Sequence, residues 1–163
     1  MKGATALRTY LAADLEDSPF DIIELRRVDD ALKTLGWKED EPVPKDLSLQ
    51  ALAKTLGADA LLQATVTDYG RSYAVVESWV KAELQADLID AQSGAVIWSE
   101  KKKNSQTSGL LKGPTGYSSI VTAPIIGLKA GNLERVANNL THTLAEDLAS
   151  SPAVKAYVSE KAP

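Results

Sequence analysis

Across 163 residues there is one histidine, His142, and no cysteine, so the side chains that carry most metal and nucleophile chemistry are nearly missing. Without cysteine there are no disulfides, thiolate metal sites or cysteine nucleophiles. His142 has Glu146 four positions later, a spacing that puts imidazole and carboxylate on one helical face. Such a pair gives a metal two ligands where catalytic zinc commonly takes three, and an ordinary surface helix pair is the better reading. Asp29-Asp30 and Glu39-Asp40-Glu41 concentrate carboxylates. The first pair falls on a helix and the second run lacks the ligand spacing and turn glycine of a calcium loop, so both read as solvated acids. Gly109, Gly113 and Gly116 surround Lys112, but their order is not that of a phosphate loop, and Pro114 interrupts them. Lys101-Lys102-Lys103 reads as a strand edge defended against association. Trp79 and Trp98 read as aromatics packing across strands. Asn139-Leu140-Thr141 matches a glycosylation sequon, but Leu140 belongs to the apolar face of a helix and the match is set aside. No catalytic residue, no metal ligand set and no cofactor site emerges, and no enzyme is expected.

The elements that would position any site are clearer. Ala4, Leu7, Leu11 and Leu15 recur at spacings of three and four, predicting a helix over 4–16. Phe20 to Leu25 has the length and composition of a short strand. Val28, Ala31, Leu32 and Leu35 predict a helix over 26–35 closed by Gly36, and Leu49, Leu52, Ala53 and Leu56 predict another over 48–56 closed by Gly57. Between them, Trp37 to Asp46 holds two prolines and six charges, a solvated loop.

The β half follows. Residues 59–68 read as a central strand ended by Asp68-Tyr69-Gly70. Val80, Ala82, Leu84, Ala86 and Leu88 alternate with polar residues, so one face is buried and the other wet. Asp90 to Gly94 turns the chain, with Gly94 free to take positive φ, and Ala95 to Trp98 returns antiparallel, giving a hairpin over 77–104. Leu133, Val136, Ala137, Leu140, Leu144 and Leu148 define the longest helix, 132–149. Residues 151–163 read as a C-terminal tail that frays. The expected architecture is one α/β (α+β) domain over 1–150: a mixed, partly antiparallel sheet of about four strands covered by helices, with a first strand missing. A fold that opens on an amphipathic helix is expected to have sequence before it, and a strand left unpaired for want of that first one would be a template for association.

Residues 105–131 break the pattern, with five glycines, two prolines, four serines and three threonines around an apolar island. Tyr117, Ile120, Val121, Ile125, Ile126 and Leu128 must be covered by something, because ordinary surface loops are mainly polar. They are either a contact surface or an extra helix on the domain's own core.

Composition narrows the partners. A net charge of −4 and an isoelectric point near 5.1 lack the basic footprint that phosphate neutralisation needs, so neither nucleic acid nor an anionic membrane surface is the expected partner. No leader-like apolar run follows Met1, and no window approaches the ~20 apolar residues of a bilayer span.

Two motifs carry a resemblance. Leu56-Gly57-Ala58-Asp59-Ala60-Leu61-Leu62, continuing through Thr65-Val66-Thr67-Asp68-Tyr69-Gly70, resembles the helix, GADA, strand signature of bacterial envelope lipoproteins. Ala86-Asp87-Leu88-Ile89-Asp90 with Gly94 and Ile97-Trp98-Ser99 is similar to the hairpin of the same group. Together they resemble lipoproteins of unknown function related to the curli-secretion lipoprotein CsgG, and more distantly LpoB and the N-terminal domain of TolB. Gly57, Asp59, Gly94 and Trp98 are structural in this motif, ending a helix, shaping a turn and packing a hairpin. The resemblance implies a non-catalytic periplasmic module, anchored to the outer membrane in its full form through a signal and lipid-bearing cysteine that these residues do not include. It would act through contacts with envelope proteins or with itself in outer-membrane assembly or export. The alternative is a small-molecule-binding domain lined by Trp98, Tyr69 and Tyr73.

Overall fold

The computed structural model describes residues 2–16, 18, 20–38, 43–44, 47–73, 77–109 and 131–161. Among these residues three helices lead into three strands, and two helices follow: α1 (Lys2–Leu15), α2 (Leu25–Thr34), α3 (Leu49–Leu56), β1 (Ala60–Tyr73), β2 (Glu77–Asp90), β3 (Val96–Gly109), α4 (Gly131–Ser150) and α5 (Pro152–Lys161).

The strands form an antiparallel sheet in the order β1-β2-β3. The alternation in β2 decides its faces. Ala82, Leu84, Ala86 and Leu88 are at most 4% exposed and pack with Leu7, Leu11 and Leu15 of α1 and Val136, Leu140, Leu144 and Leu148 of α4. Burying a large aliphatic side chain of this kind stabilises by roughly 1.5–3 kcal/mol, so this layer of α1 and α4 on one sheet face holds most of the fold. Phe20, Leu62, Val66, Ile97 and Trp98 pack around its rim.

A smaller cluster lies beside the sheet. Ala31 and Leu32 of α2 meet Leu52 and Leu56 of α3, with Ile23, Val28, Trp37 and Leu61 packed against them. Leu61 stands opposite Ile89 in the register, and its neighbours Ala60 and Leu62 join the main core instead. The α2–α3 pair therefore covers the other sheet face at the β2–β3 turn end. Arg8 on α1 donates to Asp29 on α2 and ties the two layers.

The helices fall where the apolar spacing puts them, and the caps explain their ends. Ser48 accepts a hydrogen bond from the Ala51 amide at 3.2 Å, satisfying a donor the first turn of α3 leaves free. Gly57 closes α3 at φ 67°, in the left-handed region that favours glycine.

Three expectations are corrected. No strand forms near 20–25: residues 21–24 are irregular and Leu25 already opens α2. A short apolar run is ambiguous between strand and helix, and here the stretch is an irregular connection whose Phe20 packs against the main core and whose Ile23 packs against the α2–α3 cluster. The sheet has three strands among the described residues. Second, β1 does not end at Asp68-Tyr69-Gly70. It runs to Tyr73, with a register shift between Val66 and Asp68: a bulge absorbs the extra residue and lets the ladder continue. Third, the described part of the tail is ordered: residues 152–161 form α5, with Val154 at 1% exposure.

Candidate functional site

The polar groups of the described residues gather most densely at the turn joining β2 to β3. Asp90, the last residue of β2, is 9% exposed. Its Oδ2 accepts from both the Ser93 amide and the Ser93 hydroxyl at 2.6 Å. Its Oδ1 faces α5, where the Tyr157 hydroxyl lies at 2.8 Å and Lys161 Nζ at 3.5 Å. The same hydroxyl lies 2.7 Å from the Asp59 carbonyl, so one proton is shared between two acceptors. The Ala91 amide donates to that carbonyl at 2.9 Å, and Lys161 sits 5.6 Å from the centre of the Tyr157 ring, a cation–π contact.

The electrostatics follow from these bonds. Both Ser93 donors, then the Tyr157 hydroxyl, hold the Asp90 carboxyl well below the usual carboxylate range, and Lys161 adds to this. Burial first, then the hydrogen bond to Asp90 and nearby carboxylates, pushes the Tyr157 phenol upward. Asp90 is therefore a permanent acceptor and Tyr157 a permanent donor at neutral pH. Fixed partners of this kind suit a structural tie; proton transfer wants groups poised near the working pH.

Two adjoining cavities open beside this cluster. One, of about 310 Å³, lies against α3 and is lined by Leu49, Gln50, Leu61, Ile89, Ala91 and Gly94. The other, of about 200 Å³, shares Gln50 and Ala91 with it and is flanked by Lys54, Asp59, Gln92 and Lys161. They make one groove, apolar at the α3 end and charged toward α5. Gly94, at φ 73°, lies at its edge, where a Cβ would stand 3.7 Å from Gln50 Nε2.

The remaining candidates are distributed elsewhere. His142 lies between helices: Nδ1 is 3.5 Å from Asp14 of α1 and Nε2 3.5 Å from Glu146. The carboxylates approach opposite ring nitrogens, so they do not converge on one ion, and among the described residues no cluster of three or more metal-type ligands exists. Lys101 pairs with Glu83 at 2.8 Å, and Lys102 pairs with Asp147 of α4 and with Glu100. Lys101, then Thr67, lowers the Glu83 pKa, and Asp147 raises that of Lys102. These lysines lie on β3, an outer strand. Trp98 stands opposite Leu88 and packs on the main core, which removes it from the groove. Tyr69 and Tyr73 stand opposite Ala82 and Ser78. Of the motif residues, Gly57 and Gly94 adopt positive φ, and Asp59 contributes its backbone carbonyl to the turn cluster. Tyr117, Ile120, Val121, Ile125, Ile126 and Leu128 lie outside the described residues.

The turn cluster itself was not anticipated. Asp90-x-x-Ser93 is a turn signature in the sequence, but Tyr157 reaches the Asp59 carbonyl across 98 positions. Val154 and Val158, four apart, with Pro152 at the first helical position, were the signal that α5 would dock.

Comparison with known proteins shows the fold and the family. The curated Neisseria meningitidis protein "Putative lipoprotein NMB1124/NMB1162" is 27% identical over 116 residues, 68% of this chain and 54% of its own length. The chain thus spans about half of that relative. The crystal structure of lipoprotein GNA1162 from Neisseria meningitidis superposes with a TM-score of 0.58 at 22% identity, covering 74% of this chain and 80% of that one, so the fold is shared. The LpoB C-terminal domain from Salmonella enterica superposes more loosely, with a TM-score of 0.39 at 22% identity over 54% of this chain and 58% of that one. The family model described as "Putative lipoprotein GNA1162-like" matches residues 1–153, and the chain belongs to that lipoprotein family.

Proposed function

We propose that this chain is the non-catalytic, periplasmic module of an outer-membrane-anchored lipoprotein, working through contacts with envelope proteins or with further copies of itself in assembly or export. The observation that carries this reading is the family match over residues 1–153. Several charged pairs of the described residues tie one element to another, as a structural module needs: Arg8 to Asp29, Lys102 to Asp147 and Lys161 to Asp90. The CsgG-like character belongs to the same proposal and rests on the two sequence motifs. Residues 117–128 are the proposed contact surface, because their apolar side chains sit in a glycine-, serine- and proline-rich stretch.

The groove beside α3 favours a second reading, a small-ligand site. Its larger cavity, about 310 Å³, is at the lower end of the ~300–1,000 Å³ typical of ligand pockets. A thermal-shift screen against small molecules separates the two, since a ligand at 100 times its Kd adds about 2.7 kcal/mol. Fractionation of cells producing the full-length protein, with labelling of its lipid anchor, tests the first. Recovery in the outer membrane with the anchor attached is expected; recovery from the cytoplasm without one overturns it.

A further inference from the structure

We propose that α5 is a strap whose docking sets the conformation of the β2–β3 turn, and with it the groove beside α3, through the carboxylate of Asp90 and the backbone carbonyl of Asp59. One carboxylate does two jobs. Oδ2 holds the turn by accepting from the Ser93 amide and hydroxyl, and Oδ1 holds the strap by accepting from Tyr157 and facing Lys161. The Asp59 carbonyl repeats the arrangement, taking the Ala91 amide from the turn and the Tyr157 hydroxyl from the strap. Turn and strap thus share two acceptors, beside the turn's own bonds from the Gly94 amide to the Asp90 carbonyl and from the Asp90 amide to the Ala95 carbonyl, and a group that orients one of the shared acceptors acts on both elements.

The strap has a hinge and an anchor. Ser151 alone separates α4 from α5, and Pro152 cannot continue the α4 hydrogen-bond ladder. Beyond this break, Val154 is 1% exposed within the main core, while most of the remaining α5 residues face solvent. Attachment therefore rests on Val154, Tyr157, Val158 and Lys161. Lys161 also flanks the smaller cavity, and Asp90, Ala91 and Gly94 line the larger one. Undocking α5 takes Lys161 from the edge of the smaller cavity and frees the turn that lines the larger one. The family match ends at residue 153, so nearly all of the strap lies beyond the part of the chain that the family model describes.

Coupling of this kind is reciprocal, which gives the test. Amide hydrogen exchange is measured on the full chain and on two single variants. Tyr157→Phe is expected to raise exchange at the turn amides Ala91 and Ser93 by tenfold or more, with the β2 amides of Leu84 and Ala86 unchanged. Ser93→Ala, which touches only the turn, is expected to raise exchange within residues 155–160 of α5. Leu11→Ala in α1 is the control for general destabilisation and should leave the ratio of turn to β2 exchange as in the parent. Unchanged turn exchange in Tyr157→Phe overturns the proposal, as does unchanged α5 exchange in Ser93→Ala, or a rise in the turn that the β2 amides match.

Discussion

Truncating Leu84 to alanine is the sharpest probe of the sheet, because its neighbour Gln85 supplies a control on the same strand. Leu84 is 1% exposed, stands between Val66 and Lys102 in the register, and faces the α1–α4 layer. Losing its buried methyls and leaving a cavity costs about 2–5 kcal/mol. For a chain of this size a loss of 1 kcal/mol lowers Tm by about 2–4 °C, so a fall of roughly 4–20 °C is expected by calorimetry or circular dichroism. Gln85, one residue on, points to the wet face and donates from Nε2 to Asp87 and Ser99 there, at 3.1 and 3.0 Å. Gln85→Ala should cost no more than about 1 kcal/mol. Leu84→Asp goes further, since a buried carboxylate without a partner adds a desolvation cost of several kcal/mol to a total stability of only about 5–15 kcal/mol, and the chain should not fold. Equal effects of Leu84→Ala and Gln85→Ala, or a Leu84→Asp variant with unchanged Tm, would mean that the register is shifted by one residue.

Other expectations follow from the caps and the turn cluster. Asp90 is held ionised in the fold, so its contribution is full above the unfolded carboxylate pKa of about 3.9 and is lost as pH falls below it; the stability gap between the parent and Asp90→Asn should therefore close in acid denaturation below about pH 4. Tyr157 has the opposite sign: its raised pKa gives stability that is full below about pH 10 and declines above it, and Tyr157→Phe should flatten the alkaline limb of a stability profile. Ser48→Ala removes the α3 cap and should cost about 1 kcal/mol in denaturant unfolding. Gly57→Ala, at φ 67° with open space around the new methyl, should cost about 1 kcal/mol from backbone conformation alone.

Periodicity made most of the secondary structure legible, and the exceptions have local causes. Leu7, Leu11 and Leu15, or Ala82 to Leu88, repeat at one spacing because each set packs against one continuous layer, and such sets read directly as helix or strand. Phe20 to Leu25 is too short to distinguish a strand period from a helical one, and its apolar composition alone suggested a strand. The bulge after Val66 leaves no mark in composition, which is why Gly70 looked like a strand end. The site was less legible than the fold. Gly57 and Gly94 announce positive φ through residue type, but the shared acceptors at Asp59 and Asp90 depend on where α5 lands. A contact between Tyr157 and a carbonyl 98 positions away is set by the packing of α4 on the sheet, which no local pattern encodes.

The central claim is that the protein works through contacts made by residues 117–128. Cross-linking in intact cells producing the full-length protein, compared between the parent and an Ile125→Asp, Ile126→Asp double variant, tests it most directly, with circular dichroism to establish that the variant is folded. The account predicts a discrete cross-linked product in the parent that disappears in a variant retaining its fold and its place in the envelope. The same product in both, or a variant that unfolds because these isoleucines belong to the core, would contradict it.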